Sequence, residues 1–518
     1  MHARPLTAGG EIPPDQLAWL ERTQTRLGRP LRVLHVGNIA NNAYINAKLM
    51  RRLGIEADVL CADYYHVMGC PEWEEVPVTG DFGDENAPDW WKAGIRGFKR
   101  PAWFVQGPRI LCLAYLAALA DRKVVKAEVV KQALSFHRWA RARQTPVARL
   151  AHKVIKWAQI FAYAVNVALC YFRAPFSVSC DLIRERLGGA KTKTASTPAA
   201  PALRTEDIGP YKSSLSNRNW RRLLSHYDII QGYATEGLFP LASGFARYTA
   251  YEHGTIRDIP FQDDAQGRIC TAVFQNALAV FITNTDCVAA ADRLGVSKER
   301  QYPIPHAFDS DRTFQFFDQW RPKLAVKRDP PTFIAPARQH WNEGYATWRK
   351  GNDVIVRAAH LLADQGVDFR VTFVAWGKEV DLTRQLIKEL DVEKYFTWVQ
   401  PMDKLTLWRT YLQCVGVIDQ FVMKAIGSVT FEAMAMGRPV LTALDEAVVG
   451  PFFGAMPPLC NVHEPKQLAD AMLKIVIDPD WSEALGSKAQ GWIRHYHSSE
   501  RILSIHLAAY NALFETKL

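Results

Sequence analysis

The chain has 518 residues, 48% hydrophobic and 22% charged, the balance of a folded globular protein long enough for two or three domains. Its nine cysteines are odd in number and contain no Cys-x-x-Cys pair, which argues against a disulfide framework or a zinc site and for a reducing cytoplasm. The net charge of +10 is local: residues 92–193 hold 20 Lys or Arg against only Asp121, Glu128, Asp181 and Glu185, so the rest is net acidic and that segment is expected to meet a negative surface.

Residues 1–30 read as a polar leader, without the apolar core of a signal peptide. Leu31 to Val36 reads as a buried strand, followed by a loop from Gly37 to Asn42, a helix from Ala43 to Leu53 stopped by Gly54, and a strand from Ala57 to Cys61. This β-α-β start predicts a doubly wound domain with ligand loops at the carboxyl ends of its strands. No Gly-x-Gly-x-x-Gly accompanies it, which argues against a dinucleotide cofactor. Within the first loop, Gly37, Asn38, Asn41 and Asn42 are candidates for hydrogen-bonding acceptor hydroxyls, or form a structural turn.

The pattern then changes. Helical spacing from Lys123 to Arg143 puts Val125, Val129, Ala133, Phe136 and Ala140 on one face and Lys123, Lys131, Arg138 and Arg141 on the other. Apolar runs at Ile110–Ala120 and Trp157–Phe172 lie on either side, both short of the ~20 residues that span a bilayer. Helices lying in the interface of an anionic leaflet are expected, with Trp103, Trp139 and Trp157 at headgroup depth. A helical subdomain with a solvated basic face is the plainer alternative, and nucleic-acid binding a third, without a recognisable module. Ala190 to Pro201 reads as a disordered linker.

The α/β pattern resumes with strands at Tyr227–Gly232, Arg247–Glu252 and Ala277–Thr283, so 31–315 form one domain interrupted by a basic insertion at 92–202. His253 follows the second of these strands. A second α/β unit, 316–490, has strands at Thr332–Ala337, Arg370–Ala375, Phe396–Val399 and Val415–Ile418 and a helix from Asp353 to Gln365. Residues 491–518 form a helix expected to pack back on the body.

The stretch from Gly427 to Leu441 carries the most chemistry. Gly427 and Ser428 open a short helix whose free N–H groups make an anion site in outline, with Ser428 as N-cap. Glu432 lies one turn inside, where a carboxylate can reach sugar hydroxyls. Arg338 and Lys350 stand at the two ends of one strand-to-helix loop on the same side of the sheet. Together with the helix N-terminus they suit a diphosphate, although each alone reads as an ordinary surface cation.

At these residues the chain resembles the GT-B glycosyltransferases, and among them glycosyltransferase family 4. Arg338, Lys350-Gly351, Gly377 and Phe431-Glu-Ala-Met-Ala-Met-Gly-Arg-Pro-Val440 match the family signature in order. The resemblance is strongest over 331–460, moderate over 31–62 and 227–310, and absent from 92–202. It implies two facing Rossmann-like domains with the active site between them and retaining transfer from a nucleotide diphosphate sugar. Arg338 and Lys350 would hold the diphosphate, Glu432 the ribose, and His253 would stand near the transferred sugar. The family's first glutamate, eight positions before Glu432, is here Lys424; Asp419 is a substitute polar contact, and Lys424 itself suits an acidic sugar.

The expected protein is therefore a GT-B glycosyltransferase, peripheral at the cytoplasmic face of a membrane. It would use a nucleotide sugar donor and a lipid or lipid-linked acceptor, with no metal, no cofactor and no nucleic acid. The alternatives are an inactive sugar-nucleotide-binding scaffold and a sugar-nucleotide epimerase.

Overall fold

The structure, a computed structural model, describes residues 11–78, 80–95, 97–143, 203–211, 218–245, 247–343 and 349–515. They form two units: 12–74, 78–307 and 503–515 make an N-terminal unit, and 308–502 with 75–77 a C-terminal unit.

The N-terminal unit is built on seven parallel strands: β1 (Arg32–Val36), β2 (Glu56–Ala62), β3 (Phe104–Gly107), β4 (Ile229–Tyr233), β5 (Tyr248–Tyr251), β6 (Ala279–Ile282) and β7 (Gln301–Pro303), in the order β3-β2-β1-β4-β5-β6-β7. The chain winds outward in one direction from β1 to β3 and in the other from β4 to β7. The switch point is therefore between β1 and β4, where Val33 registers with Ile229. The central strands are buried on both faces, as their continuous apolar runs require.

Two sequence expectations need correction here. The leader is not a separate tail: α1 (Pro14–Leu27) buries Trp19 and Leu20, and Trp19 meets Phe514 edge-on at 5.9 Å between ring centroids. After α2 (Asn42–Arg52), the supposed insertion supplies β3, which pairs with β2 from Val59↔Phe104 onward. It also supplies α3 (Arg109–Ala120), with Cys112, Leu113, Tyr115, Leu116, Ala117 and Ala118 buried. The apolar run expected at a membrane interface is thus part of the domain's own core, because a helix apolar nearly all round is stable only when covered.

In the next helix, α4 (Val124–Ala142), the expected apolar face is divided. Ala127, Leu134, His137 and Ala140 face inward, while Val125, Val129 and Phe136 are 81%, 65% and 48% exposed. The second apolar run with Trp157, and the expected linker, lie outside the described residues.

The C-terminal unit holds six parallel strands, β8 (Thr332–Ala335), β9 (Arg370–Val374), β10 (Phe396–Val399), β11 (Gly416–Ile418), β12 (Val440–Thr442) and β13 (Cys460–Asn461), ordered β10-β9-β8-β11-β12-β13. Its switch point falls between β8 and β11. The helices used below are α5 (Asn352–Asp364), α6 (Lys404–Gln413) and α7 (Ser428–Ala435). Ile355, Val356, Ala359 and Leu362 of α5 pack in one cluster with Phe333, Val371 and Phe373 of the sheet.

The end of the chain is two helices, α8 (Pro479–Tyr496) and α9 (Ser499–Glu515). From Leu503 onward α9 belongs to the N-terminal unit, where the Tyr510 hydroxyl donates to Gln231 Oε1 at 2.8 Å. Two Rossmann-type parallel sheets, one in each unit, give the expected GT-B fold class. The described cysteines 61, 70, 112, 270, 287, 414 and 460 are all free thiols.

Candidate active site

In the C-terminal unit the predicted residues gather at the carboxyl ends of β8, β9 and β11. Parallel strands put all these ends on one edge, and the switch point opens a crevice there. Arg338, three residues past β8, is exposed and has no hydrogen-bond or ion-pair partner among the described residues. The loop behind it is held rigidly. Gln339 donates its N–H to the Trp376 carbonyl at 2.9 Å, and Glu379 accepts the amides of Trp341, Asn342 and Glu343 at 2.5, 2.9 and 2.8 Å. Burial of Glu379 works against ionisation, but these three donors win and lower its pKa.

Gly377 has φ +101°, and a Cβ there would sit 2.5 Å from the Gln339 carbonyl oxygen. It is a spacing residue that lets the two loops cross, a role only glycine fills. The sequence reading missed Glu379; its signal is a carboxylate two residues after a glycine at a strand end.

Lys350 donates from Nζ to Gln420 Oε1 at 2.5 Å, and Gln420 donates in turn to the Ala425 carbonyl at 2.8 Å. Asp419, 4% exposed, accepts the Thr430 hydroxyl at 2.7 Å and the Thr430 N–H. Burial pushes its carboxyl above the usual range, against the pull of Lys350 and Thr430. The N-cap residue of α7 is Gly427, and no side chain caps it. This corrects the expectation for Ser428, which is the first helical residue. Asp419 from the end of β11 satisfies the third N–H instead, and the N–H groups of Ser428 and Val429 meet no acceptor among the described residues.

Lys350, Asp419, Gln420 and the start of α7 are thus brought together, with a Cβ on Gly427 falling 3.5 Å from Asp419. Lys424 is exposed, and its side chain has no partner among the described residues. Glu432 does not fit its expected role. It is 2% exposed, paired through Oε1 with Lys404 and accepting Trp408 Nε1 through Oε2 at 2.9 Å. One turn into a buried helix, the carboxylate points to α6 rather than to the N-terminal opening.

In the N-terminal unit the loop after β1 is also corrected. Asn38, Asn41 and Asn42 are 1%, 1% and 6% exposed. Asn38 Nδ2 donates to Gly69 O and Asn41 Oδ1, Asn41 Nδ2 to Cys70 O, and Asn42 Oδ1 accepts the Ala307 amide at 3.1 Å. Their amides hold the loop, with Gly37 at φ +94°, and offer little to an acceptor.

His253 lies past β5 on a loop that Glu252 fixes by accepting the Thr283 and Asn284 amides, each at 2.7 Å. Its ring stacks on Tyr233 at 5.5 Å and its Nε2 is buried without a partner among the described residues. Burial, then His306, lowers its pKa to about 3, so the imidazole is neutral near pH 7 and keeps one nitrogen open.

The residues assigned to a membrane divide. Lys123 and Lys131 are exposed and pair with Asp121 and Glu128 at 3.2 and 3.3 Å. Trp103 instead stacks on Tyr44 at 5.1 Å, and Trp139 on Phe136 at 5.6 Å. Arg138 and Arg141 line a half-open cavity. Trp157 is outside the described residues. Among the described residues no helix is long and apolar enough to cross a membrane.

Residues 318–492 match the family Glycosyl transferases group 1. A D-inositol 3-phosphate glycosyltransferase of Corynebacterium jeikeium is 29% identical over 151 residues, 27% of this chain and 35% of that protein. The chain therefore spans about a third of the curated relative it matches. A glycosyltransferase of Rickettsia africae superposes with TM-score 0.48 at 11% identity, covering 94% of this chain and 100% of the other. Anabaena HepE in complex with UDP gives 0.42 at 17% identity, over 57% and 82%.

Proposed function

We infer, from the match of residues 318–492 to Glycosyl transferases group 1, that the chain transfers a sugar from a nucleotide diphosphate donor. The carrying observation is the switch point of the C-terminal unit: Lys350 is anchored by Gln420, and among the described residues Arg338 is unpaired and the Ser428 and Val429 N–H groups are open. Two cations and a helix N-terminus with its first two N–H groups open suit a diphosphate and stabilise it as a leaving group. The charge of the diphosphate is met by these groups alone, so transfer is assigned no metal. Transfer with retention follows from the family resemblance. His253 supplies a neutral hydrogen-bonding group for a sugar hydroxyl. Lys424, exposed where the family has a glutamate, favours an acidic sugar.

The acceptor is a lipid or lipid-linked glycan at the inner face of a membrane, to which the chain attaches peripherally. Supporting this, α4 exposes Val125, Val129 and Phe136 beside the basic segment. A second reading, donor binding without transfer, is favoured by the closure of Glu432 on Lys404 and Trp408.

A thermal-shift screen of UDP-, GDP- and ADP-sugars, neutral and acidic, tests the main reading. At least one is expected to raise the melting temperature, and Arg338→Ala or Lys350→Ala to abolish that shift. Lys424→Glu should reverse an acidic preference, and EDTA should change nothing. No shift with any nucleotide overturns the reading; a shift without nucleotide diphosphate release in the presence of polyprenyl-phosphate acceptors selects the second.

A further inference from the structure

The N-terminal unit contains a cavity of about 430 Å³ between α4, β3 and the 87–106 stretch, of the size that holds a small organic ligand. Five cations line it, Lys99, Arg100, Lys131, Arg138 and Arg141, against one carboxylate, Glu72. That carboxylate is already used: Arg100 grips it with two hydrogen bonds of 2.7 and 2.9 Å and donates a third, of 2.6 Å, to Gln106. Lys131 has its own partner in Glu128.

Arg138 has none. It lies largely buried beside Arg100, whose charge, after burial itself, holds its pKa down to about 10, so it remains cationic at neutral pH. Arg141 stacks on the Tyr65 ring at 4.3 Å, and its buried Nε meets no acceptor among the described residues. Glu72 acts on Arg138 only through its charge, and a guanidinium withdrawn from water without a hydrogen-bonded anion costs stability unless one completes it. The rest of the wall combines polar Gln106, Gln132 and Ser135 with an apolar and aromatic part that includes Trp90, Trp91, Ile95, Phe98 and Leu134.

We propose that this cavity binds the phosphate of an amphiphile. Arg138 and Arg141 take the oxyanion by their planar forks, and the aromatic wall takes the first part of the apolar chain. Phosphate oxygens match guanidinium geometry, and an aromatic wall rewards an apolar chain rather than a free ion. The inference rests on the N-terminal unit alone and holds whether or not the C-terminal unit transfers sugar.

Trp90 and Trp91 give the full-length protein a fluorescent reporter at the cavity. Dioctanoyl phosphatidic acid, titrated below its micellar concentration, is expected to change this fluorescence saturably, with inorganic phosphate competing weakly. Dioctanoylglycerol, which has the chains without the phosphate, and glucose 1-phosphate, which has the phosphate without the chains, should each bind at least tenfold more weakly. Arg138→Gln should raise Kd for the phosphatidic acid at least tenfold, while Arg338→Ala leaves it unchanged. If Arg138→Gln does not fold, Arg141→Gln carries the same expectation. Equal binding of dioctanoylglycerol, equal binding of glucose 1-phosphate, or an unchanged Kd in a folded arginine variant overturns the proposal. So does a loss confined to Arg338→Ala, which would place the phosphate in the C-terminal unit.

Discussion

At the scale of single residues, burial decides what each polar group can do. His253 and Lys424 were both legible in the sequence, but the structure gives them opposite settings. Lys424 is solvated, whereas His253 is packed on Tyr233 and Tyr251 with its pKa lowered to about 3 by burial and by His306. A histidine whose folded pKa lies below the unfolded value of about 6.5 contributes stability that is present above pH 6.5 and lost as pH falls toward 3, because the unfolded chain takes up the proton first. His253→Gln removes that loss. The variant is therefore expected to gain on the wild type between pH 7 and pH 4, measured as the difference in urea midpoint. A difference that stays constant over this range would mean that His253 titrates normally in the fold. The three loop asparagines show the limit of reading residues in isolation: Asn in a loop is compatible with ligand binding and with turn building, and only the carbonyls of Gly69 and Cys70, some thirty residues away, decide for the second.

Secondary-structure elements explain why Glu432 was placed correctly in α7 while its contacts with α6 were not foreseen. The periodicity of Phe431-Glu-Ala-Met-Ala-Met-Gly437 fixes a short helix closed by a glycine, and the helix is there. Which neighbour faces position 432 depends on α6, whose Lys404 and Trp408 are four residues apart and so share a face. That spacing was visible, but nothing local said that α6 lies against α7. The N-cap failed for the same reason, since Asp419 reaches Thr430 from another strand. Glu432 is thus expected to hold the α6–α7 contact. Glu432→Ala leaves the Lys404 ammonium without its carboxylate, and loss of one partner of a buried pair costs about 3–5 kcal/mol. Lys404→Met with Glu432→Met should recover most of it. Chemical denaturation of the single and double variants measures both, and a Glu432→Ala protein as stable as the wild type but unable to bind donor would return the residue to ribose binding.

For the whole molecule, the doubly wound units were legible from alternating apolar strands and helices, and each switch point followed from strand order. What composition could not resolve was the basic segment, because charge excess is the same whether arginines face solvent or a cavity. The structure divides that segment. Phe104–Gly107 and α3 are core, Arg138 and Arg141 line the cavity, and the outward side of α4 mixes Val125, Val129 and Phe136 with Lys126 and Lys131. If the chain attaches to a membrane through α4, insertion of those apolar side chains must contribute, with each buried CH₂ worth about 0.8 kcal/mol and Lys123, Lys126 and Lys131 adding a salt-sensitive attraction to anionic lipid. Because Val125, Val129 and Phe136 are exposed in the fold, Val125→Asp, Val129→Asp and Phe136→Asp together should leave the melting temperature within a degree or two. The same changes should reduce sedimentation with phosphatidylglycerol vesicles at least tenfold. High salt should weaken the wild type but not restore the triple variant. Undiminished sedimentation of that variant would remove α4 from the membrane contact and leave any attachment to residues of the basic segment beyond Arg143.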